Sequence, residues 1–121
     1  MNNETKPAAD QRRFEDALHL SLPKSARVVW MEQMPGLDDM IRAKIELDRT
    51  DLVSLLQQLD VDLDELRPGA SRLGADKGQW NPRSIPAIRS VQLALPNSHF
   101  RNVGVVESGQ HVTLFVMQHG T

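Results

Sequence analysis

The chain has 121 residues, of which 40% are hydrophobic and 25% charged, and its 14 basic and 16 acidic residues give a formal net charge of −2. A chain of this length can bury a core that is stable without disulfides or a metal ion. Because it contains no cysteine, thiolate zinc sites, iron–sulfur clusters and thiol nucleophiles are excluded. With two Trp, three Phe, no Tyr and no cluster of Lys and Arg, the composition also argues against nucleic-acid binding.

The sequence predicts no membrane span. No apolar run approaches the ~20 residues that a transmembrane helix needs, and Met1–Gln11 lacks the apolar region of a signal peptide. We therefore expect a cytoplasmic protein, or an exported one if a signal segment has been removed. Residues 1–10 show no periodicity, which predicts a disordered leader (1–10) before a single domain (11–121).

An amphipathic helix is predicted from Gln11. Apolar side chains recur there at a spacing of three to four residues, opposite the charged ones. They are Phe14, Ala17, Leu18 and Leu22. Pro23 cannot donate a backbone hydrogen bond, so it ends the helix.

Two strands joined by a turn are predicted next. Residues 26–31 are rich in β-branched and aromatic side chains, and Pro35-Gly36 with Asp38-Asp39 has the composition of a turn. Residues 41–48 then alternate between apolar and charged side chains, the period of a strand with one face buried and the other in water. The buried set is Ile41, Ala43, Ile45 and Leu47.

A second helix is predicted from the leucine spacing that follows. Its apolar positions fall at i, i+3, i+4 and i+7. They are Leu52, Leu55, Leu56 and Leu59. Asp48 or Thr50 can cap the start of this helix, and Asp51 places a negative charge there. A shorter helical turn is predicted from Asp62 to Leu66 and ends before Pro68-Gly69.

The C-terminal third predicts strands. Residues 91–95 alternate in hydropathy and stop at Pro96-Asn97-Ser98, while 100–107 and 110–118 flank Ser108-Gly109, which indicates a tight hairpin. Both faces of the last strand are apolar, so we expect it to be central or covered on both sides. The order of elements predicts an α+β fold, an antiparallel sheet of four or five strands with two helices packed on one face.

No motif for catalysis, metal binding or phosphate binding is present. Asp60, Asp62 and Asp64 match the first carboxylates of a calcium loop, but Glu65 and Ser71 stand where its glycine and bidentate glutamate belong. Helix capping explains these aspartates better. The four histidines lack metal-ligand spacing, and neither a nucleophile elbow nor a glycine-rich phosphate loop occurs. We therefore expect no cofactor, no metal and no enzymatic activity.

The segment from Arg67 to Arg89 is the candidate functional region. Loops of this length without regular structure are uncommon in compact domains, and they are disordered or functional. Its Trp80-Asn81-Pro82, Ile85-Pro86 and Ile88 indicate an ordered loop that packs on the body with Trp80 as its anchor. Two interpretations remain open: Trp80 covers the sheet or a helix end, or the loop forms a lid or rim over a binding cleft.

Charge is divided unevenly along the chain. Residues 32–65 hold ten acids and three bases, whereas residues 66–106 hold six bases and one acid. Either these segments complement each other across the fold, or the basic residues around Trp80 form a patch for an anionic ligand or an acidic partner, because Arg makes bidentate contacts with carboxylate and phosphate. The candidate binding residues are Trp80, Arg72, Lys77, Arg83 and Arg89.

Short features of the chain recur in other proteins. They are Phe14, the segment Leu22-Pro23-x-Ser25-Ala26-x-x-Val29, and Trp80-x-Pro82 after a leucine-rich helix. With them the chain, from about Arg13 to its C-terminus, resembles a loose set of small uncharacterised bacterial proteins, some of which are made as lipoproteins. The resemblance implies a bacterial α+β domain and carries over no activity or catalytic residue. The chain differs from the lipoprotein members in lacking the anchoring cysteine.

The leading hypothesis is a non-enzymatic binding or protein-interaction module whose 67–89 loop meets a partner protein or a small anionic ligand. The alternative is a ligand-binding or enzymatic α+β domain with a cleft between the sheet and that loop. A homodimer formed through an edge strand is a third option, at the first hairpin or on the His99 side of the sheet. Nucleic acid and membranes are not expected as partners.

Overall fold

The computed structural model describes residues 6–34, 40–96 and 99–120. Within these ranges, two helices and six strands follow each other in the order α1, β1, β2, α2, β3, β4, β5, β6. Their bounds are α1 Lys6–Leu18, β1 Arg27–Met34, β2 Met40–Asp48, α2 Leu52–Gln58, β3 Arg67–Pro68, β4 Arg89–Leu95, β5 His99–Ser108 and β6 His111–Gly120. The turns predicted around 35–39 and 97–98, and the first half of the predicted leader (1–5), lie outside the described residues.

The strands form one antiparallel sheet in the order β1-β2-β6-β5-β4-β3. The sheet dominates this α+β fold, and the predicted number of four or five strands is wrong by one. The additional strand is β3, which has two residues and pairs with the first two residues of β4. A strand this short shows no alternation of side chains, so periodicity could not predict it.

Strand β6 lies at the centre of the sheet, between β2 and β5. Its side chains are buried on both faces: Val112, Leu114 and Val116 on one, Phe115 and Met117 on the other. The prediction that both faces of this strand are covered is thereby confirmed. The sheet therefore carries two separate cores, one on each face.

The larger core contains side chains from both helices and one face of the sheet. The predicted apolar sets of β2 and α2 are all buried in it, together with Phe14 and Leu18 of α1. Burial of apolar surface contributes about 25 cal/mol per Å² to stability, so this core holds the helices on the sheet. Neither helix in the described part of the chain is long and apolar enough to cross a membrane.

Helix α1 differs from its prediction at both ends. It begins at Lys6, so residues 6–10 of the predicted leader are helical. The physical reason is that Pro7 is tolerated in a first turn, and that Asp10 is buried and paired with Arg13 at 3.1 Å. The helix ends at Leu18, four residues before Leu22, because His19 adopts a positive φ of 56° and reverses the chain.

Helix α2 begins differently from the predicted capping pattern. No side chain of Asp48 or Asp51 caps its first turn. The Ser25 hydroxyl instead donates to Asp51 Oδ2 at 2.6 Å and accepts the Asp48 N–H at 3.0 Å, which ties this corner to the start of β1. At the other end, Asp60 has a φ of 64° and Val61 N–H donates to the Leu56 carbonyl, a Schellman ending.

The β5–β6 hairpin has the predicted position with a small change in its turn. Ser108 pairs with His111, so the two turn residues are Gly109 and Gln110 rather than Ser108 and Gly109. Gly109 has a φ of 61° and Gln110 has a negative φ, the pattern of a type II′ turn with Gly first.

Candidate functional site

Residues 69–88 cover the face of the sheet that the helices leave open, and we call this segment the covering loop. Its buried side chains and two from β6 form the second core. That core consists of Ala70, Leu73, Trp80, Ile88, Phe115 and Met117. Short 3-10 turns at Ser71–Leu73 and Pro82–Ser84 shape the loop, which confirms the prediction of an ordered, irregular segment.

Trp80 anchors the covering loop and is completely buried. Its indole meets the ring of Phe115 edge to face, with centroids 5.4 Å apart, and that of Trp30 at 6.1 Å. Its Nε1–H donates to the Leu73 carbonyl at 3.0 Å. A buried indole has no surface with which to touch a partner, so the position of Trp80 matches the first of the two interpretations, a side chain that covers the sheet.

Arg42 lies beneath the loop, although its strand position predicts exposure to water. Its guanidinium carbon is 5.6 Å from the Trp30 ring centroid and 5.3 Å from that of Trp80, and the residue is buried. Glu32 neutralises it, with Arg42 Nη2 and Glu32 Oε1 2.7 Å apart. The prediction that the charged face of β2 lies in water is wrong here, because the covering loop lies over that face.

Glu32 also binds the loop itself. Its Oε2 lies 2.9 Å from Lys77 Nζ. Hydrogen bonds from Lys77 and then Arg42 hold the pKa of Glu32 below its usual range, against the opposing effect of burial. One carboxylate thus joins a sheet arginine to a loop lysine, an example of the charge complementation between the acidic and basic segments.

Polar contacts within the covering loop fix its shape. Asp76 accepts hydrogen bonds from the Ser84 hydroxyl and from the Arg83 N–H, and the Ser84 bond is the main reason that the pKa of Asp76 lies below its usual range. The Nε–H of Arg83 donates to the Gly74 carbonyl at 2.8 Å. These contacts close the loop on itself, so its outer surface is preorganised.

Three further hydrogen bonds fasten the loop to β4 and β5. Asn102 Nδ2 donates to the Arg72 carbonyl at 2.7 Å, and the Ser90 hydroxyl donates to the Gly69 carbonyl at 2.6 Å. The Arg72 guanidinium reaches Gln92 Oε1 at 3.3 Å. Asn102 Oδ1 is buried without a partner in the described structure. Polar as well as apolar contacts therefore hold residues 69–72, which we call the first arm of the loop.

The five candidate residues do not form one site. Arg72, Lys77 and Arg83 are all exposed on the covering loop, but Lys77 is paired with Glu32. Arg89 lies opposite Val105, on the helix side of the sheet. There it pairs with Glu107, which also binds Arg49. Of the five residues, Arg83 alone lines the groove described next.

A surface groove lies between the first arm of the covering loop and its second arm, residues 82–88. We call it the loop groove. It has a volume of about 360 Å³. Its lining residues are Gly69, Ala70, Ser71, Pro82, Arg83, Ile85, Pro86 and Ile88. Ile88, Ala70 and Pro82 are buried, while Arg83 and Ser71 are exposed. The groove therefore combines an apolar lining with one cation and one hydroxyl.

A second cavity of about 290 Å³ lies between α1 and one end of the sheet. Gln33, His99 and Gln118 give it polar groups, and Ala17, Met34, Met40 and Ile41 give it apolar ones. Beside it, Arg101 donates to Gln118 Oε1 and to the Leu59 carbonyl, both at 2.9 Å. Sequence reasoning missed Arg101, because an arginine at an alternating strand position gives no signal of burial.

The described residues form no metal site. No three side chains among their His, Asp and Glu residues stand close enough to hold a metal ion. Asp38 and Asp39, predicted to be turn residues, lie outside the described residues.

No family model, curated protein or solved structure matches this chain. The resemblance to small bacterial proteins stays a prediction.

Proposed function

We propose that this protein is a non-enzymatic interaction module that binds a segment of a partner protein in the loop groove. An apolar side chain of that segment enters the groove, and a neighbouring carboxylate pairs with Arg83. The observation that carries this proposal is the position of a cation at the rim of an apolar groove on an ordered loop.

Arg83 is suited to hold a carboxylate. Its Nε–H is occupied by the Gly74 carbonyl, which fixes the plane of the guanidinium. Its two terminal amino groups donate to no acceptor in the described residues. Both can therefore donate to the same carboxylate in a bidentate contact. Ser71 on the facing arm of the groove offers a hydroxyl at the same rim.

The charge of the outer loop favours an acidic partner. The covering loop carries three exposed cations, Arg72, Lys77 and Arg83. Its one carboxylate is that of Asp76, whose negative charge acts on Arg83. Such a surface steers an acidic segment toward the groove and repels a basic one. A rigid loop also loses little conformational entropy on binding, which favours affinity.

A random peptide display selection on the immobilised protein tests this proposal. We expect the enriched peptides to pair an acidic residue with a large apolar one. We also expect their affinity to fall at least tenfold with Arg83→Glu and with Ile85→Asp, because each removes one half of the recognition. Arg12→Glu, an exposed change on α1, is the matched control. Enrichment of peptides without acidic residues, or binding insensitive to both loop variants, would contradict the proposal.

A small-molecule site is the second candidate function. The space between loop and sheet is filled by the second core, so a small ligand fits better in the cavity beside Gln33 and Gln118, whose amides can orient it. A thermal-shift screen of metabolites tests this idea. A ligand that raises the melting temperature of the natural protein, but not of Gln118→Leu, would support it.

A further inference from the structure

The two edges of the sheet are built differently. The outer edge of β1 carries a bulge between Val28 and Trp30, and it holds Arg27 and Glu32. Bulges and charges are the usual means by which proteins keep a sheet edge from pairing with other chains. The β1 edge is therefore protected.

The opposite edge lacks this protection over five residues. β3 pairs only with Arg89 and Ser90, so no strand among the described residues covers the outer side of Val91–Leu95. This stretch holds no charge, no proline and no register shift. Its side chains are half-buried on the helix face and exposed on the other face. Such an edge readily accepts another strand.

The direction of the free backbone groups follows from the pairing. The Ile88 carbonyl accepts a hydrogen bond from Gly69 N–H, on the side away from β5. Because backbone groups of a strand alternate in direction, those of Gln92 and Ala94 also point outward, and those of Leu93 point toward β5. The β5–β6 hairpin gives the same directions. Ser108 and His111 form the hydrogen-bonded pair next to its two-residue turn, and the alternation that starts there continues along β5 to its pairing with β4.

We infer that this edge is the interface of a symmetric homodimer, in which β4 pairs antiparallel with β4 of a second copy. With the twofold axis at Leu93, Gln92 and Ala94 of one copy exchange hydrogen bonds with Ala94 and Gln92 of the other. Leu93 then faces Leu93 in a non-hydrogen-bonded pair, and Val91 faces Leu95. This stretch is complementary to itself in both hydrogen bonding and hydropathy, which favours a second copy as the occupant.

The position of β3 agrees with this arrangement. The end of β3 that is nearest Val91 is its first residue, Arg67, which lies opposite Ser90. The preceding residue, Leu66, is buried in the larger core, so a second β4 strand fits along the rest of the edge. The two sheets then continue as one sheet of twelve strands across the axis. This interface is separate from the loop groove. The dimer and the proposed peptide binding can therefore be tested independently.

Single cysteines test both the interface and its register, because the chain contains none of its own. In a non-hydrogen-bonded antiparallel pair the Cα atoms lie about 4.5 Å apart, within the range for a disulfide. Leu93→Cys should therefore form a disulfide-linked dimer on mild oxidation. The matched control is Gln92→Cys, whose counterpart in the second copy is a diagonal neighbour about 7–8 Å away, and it should link poorly.

Light scattering after gel filtration completes the test. We expect a mass twice the 13.6 kDa of the chain for the natural protein. We expect a monomer for Ala94→Pro, whose missing N–H belongs to the outer edge and not to the internal ladder. Leu93→Lys, which places like charges at the axis, provides a second disrupting variant if the proline variant fails to fold. A monomeric natural protein, or equal linking of both cysteine variants, would overturn the inference.

Discussion

The side chain of Leu73 lies directly over Gly104 of β5. A Cβ atom built on Gly104 would stand 2.5 Å from Leu73 Cδ1 and 3.0 Å from Ile88 Cδ1. Both neighbours are buried in the second core, so neither can move freely. The bare backbone of Gly104 is therefore what lets the covering loop lie close against the sheet.

Gly104→Ala should destabilise the fold by about 1–3 kcal/mol, the usual cost of overpacking a core. Urea unfolding of the variant measures this difference in the free energy of unfolding. Leu73→Ala alone should also destabilise the fold. The double variant should lose less free energy of unfolding than the two single variants together, because truncating Leu73 makes room for the new methyl group. Strict additivity would show that the two residues are not in conflict.

Replacing Trp80 should separate its packing from its hydrogen bond. Trp80→Ala should cost about 3–5 kcal/mol. Trp80→Phe retains an aromatic ring but leaves the Leu73 carbonyl without its donor, which should cost about 1–3 kcal/mol. Trp30→Phe, at a half-buried ring, is the matched control and should cost less than Trp80→Phe. Unfolding curves with equal midpoints for both phenylalanine variants would contradict the anchoring role of Trp80.

The covering loop should become less firmly held in acid. The pKa of Glu32 is lower in the folded protein than in the unfolded chain. Its ion pairs therefore stabilise the fold fully above the ordinary glutamate pKa of about 4.3, and this contribution is lost as the pH falls through the depressed value.

Glu32→Gln isolates this contribution. The stability difference between the natural protein and the variant should be largest at neutral pH and should shrink in acid, as measured by urea unfolding across the pH range. Asp16→Asn, an exposed change on α1, controls for general charge effects. A difference that stays constant down to strongly acid pH would exclude Glu32 as the titrating group.

Arg101→Met should destabilise the protein even though it removes a buried charge. Burial lowers the pKa of Arg101 against the opposing field of Asp60. The methionine would leave the Leu59 carbonyl and the Gln118 amide without their donor, at a cost of about 1–3 kcal/mol each. Thermal and urea unfolding measure the change, and Arg27→Met, an exposed site, should stay within about 0.5 kcal/mol. A variant as stable as the natural protein would mean that desolvation cancels these bonds.

Periodicity predicted the elements whose side chains alternate between a core and another environment. The leucines of α2 and the apolar face of β2 are buried as expected. β3 was not predicted, because a strand of two residues shows no alternation of polar and apolar side chains. The end of α1 was misplaced because a left-handed residue such as His19 carries no hydropathy signal.

The second core could be predicted only in part. The apolar second face of β6 implied a cover on that side, and the neighbouring positions of β2 then had to lie under the same cover. Burial of Arg42 follows from these two patterns taken together. Sequence patterns do not predict the path of the covering loop. Because of that path, Arg83 lines the loop groove while Arg89 lies on the other face of the sheet.

The central position of β6 has a consequence for how the protein is made. The strand that joins β1-β2 to β5-β4-β3 is the last of the six to be synthesised, and its pairing of Gln118 with Ile41 joins residues far apart in the sequence. Contacts of such separation are slow to form because a long loop must close first. Until β6 has been synthesised, β2 and β5 each keep an open side, and a chain that lacks β6 is left with two halves of a sheet.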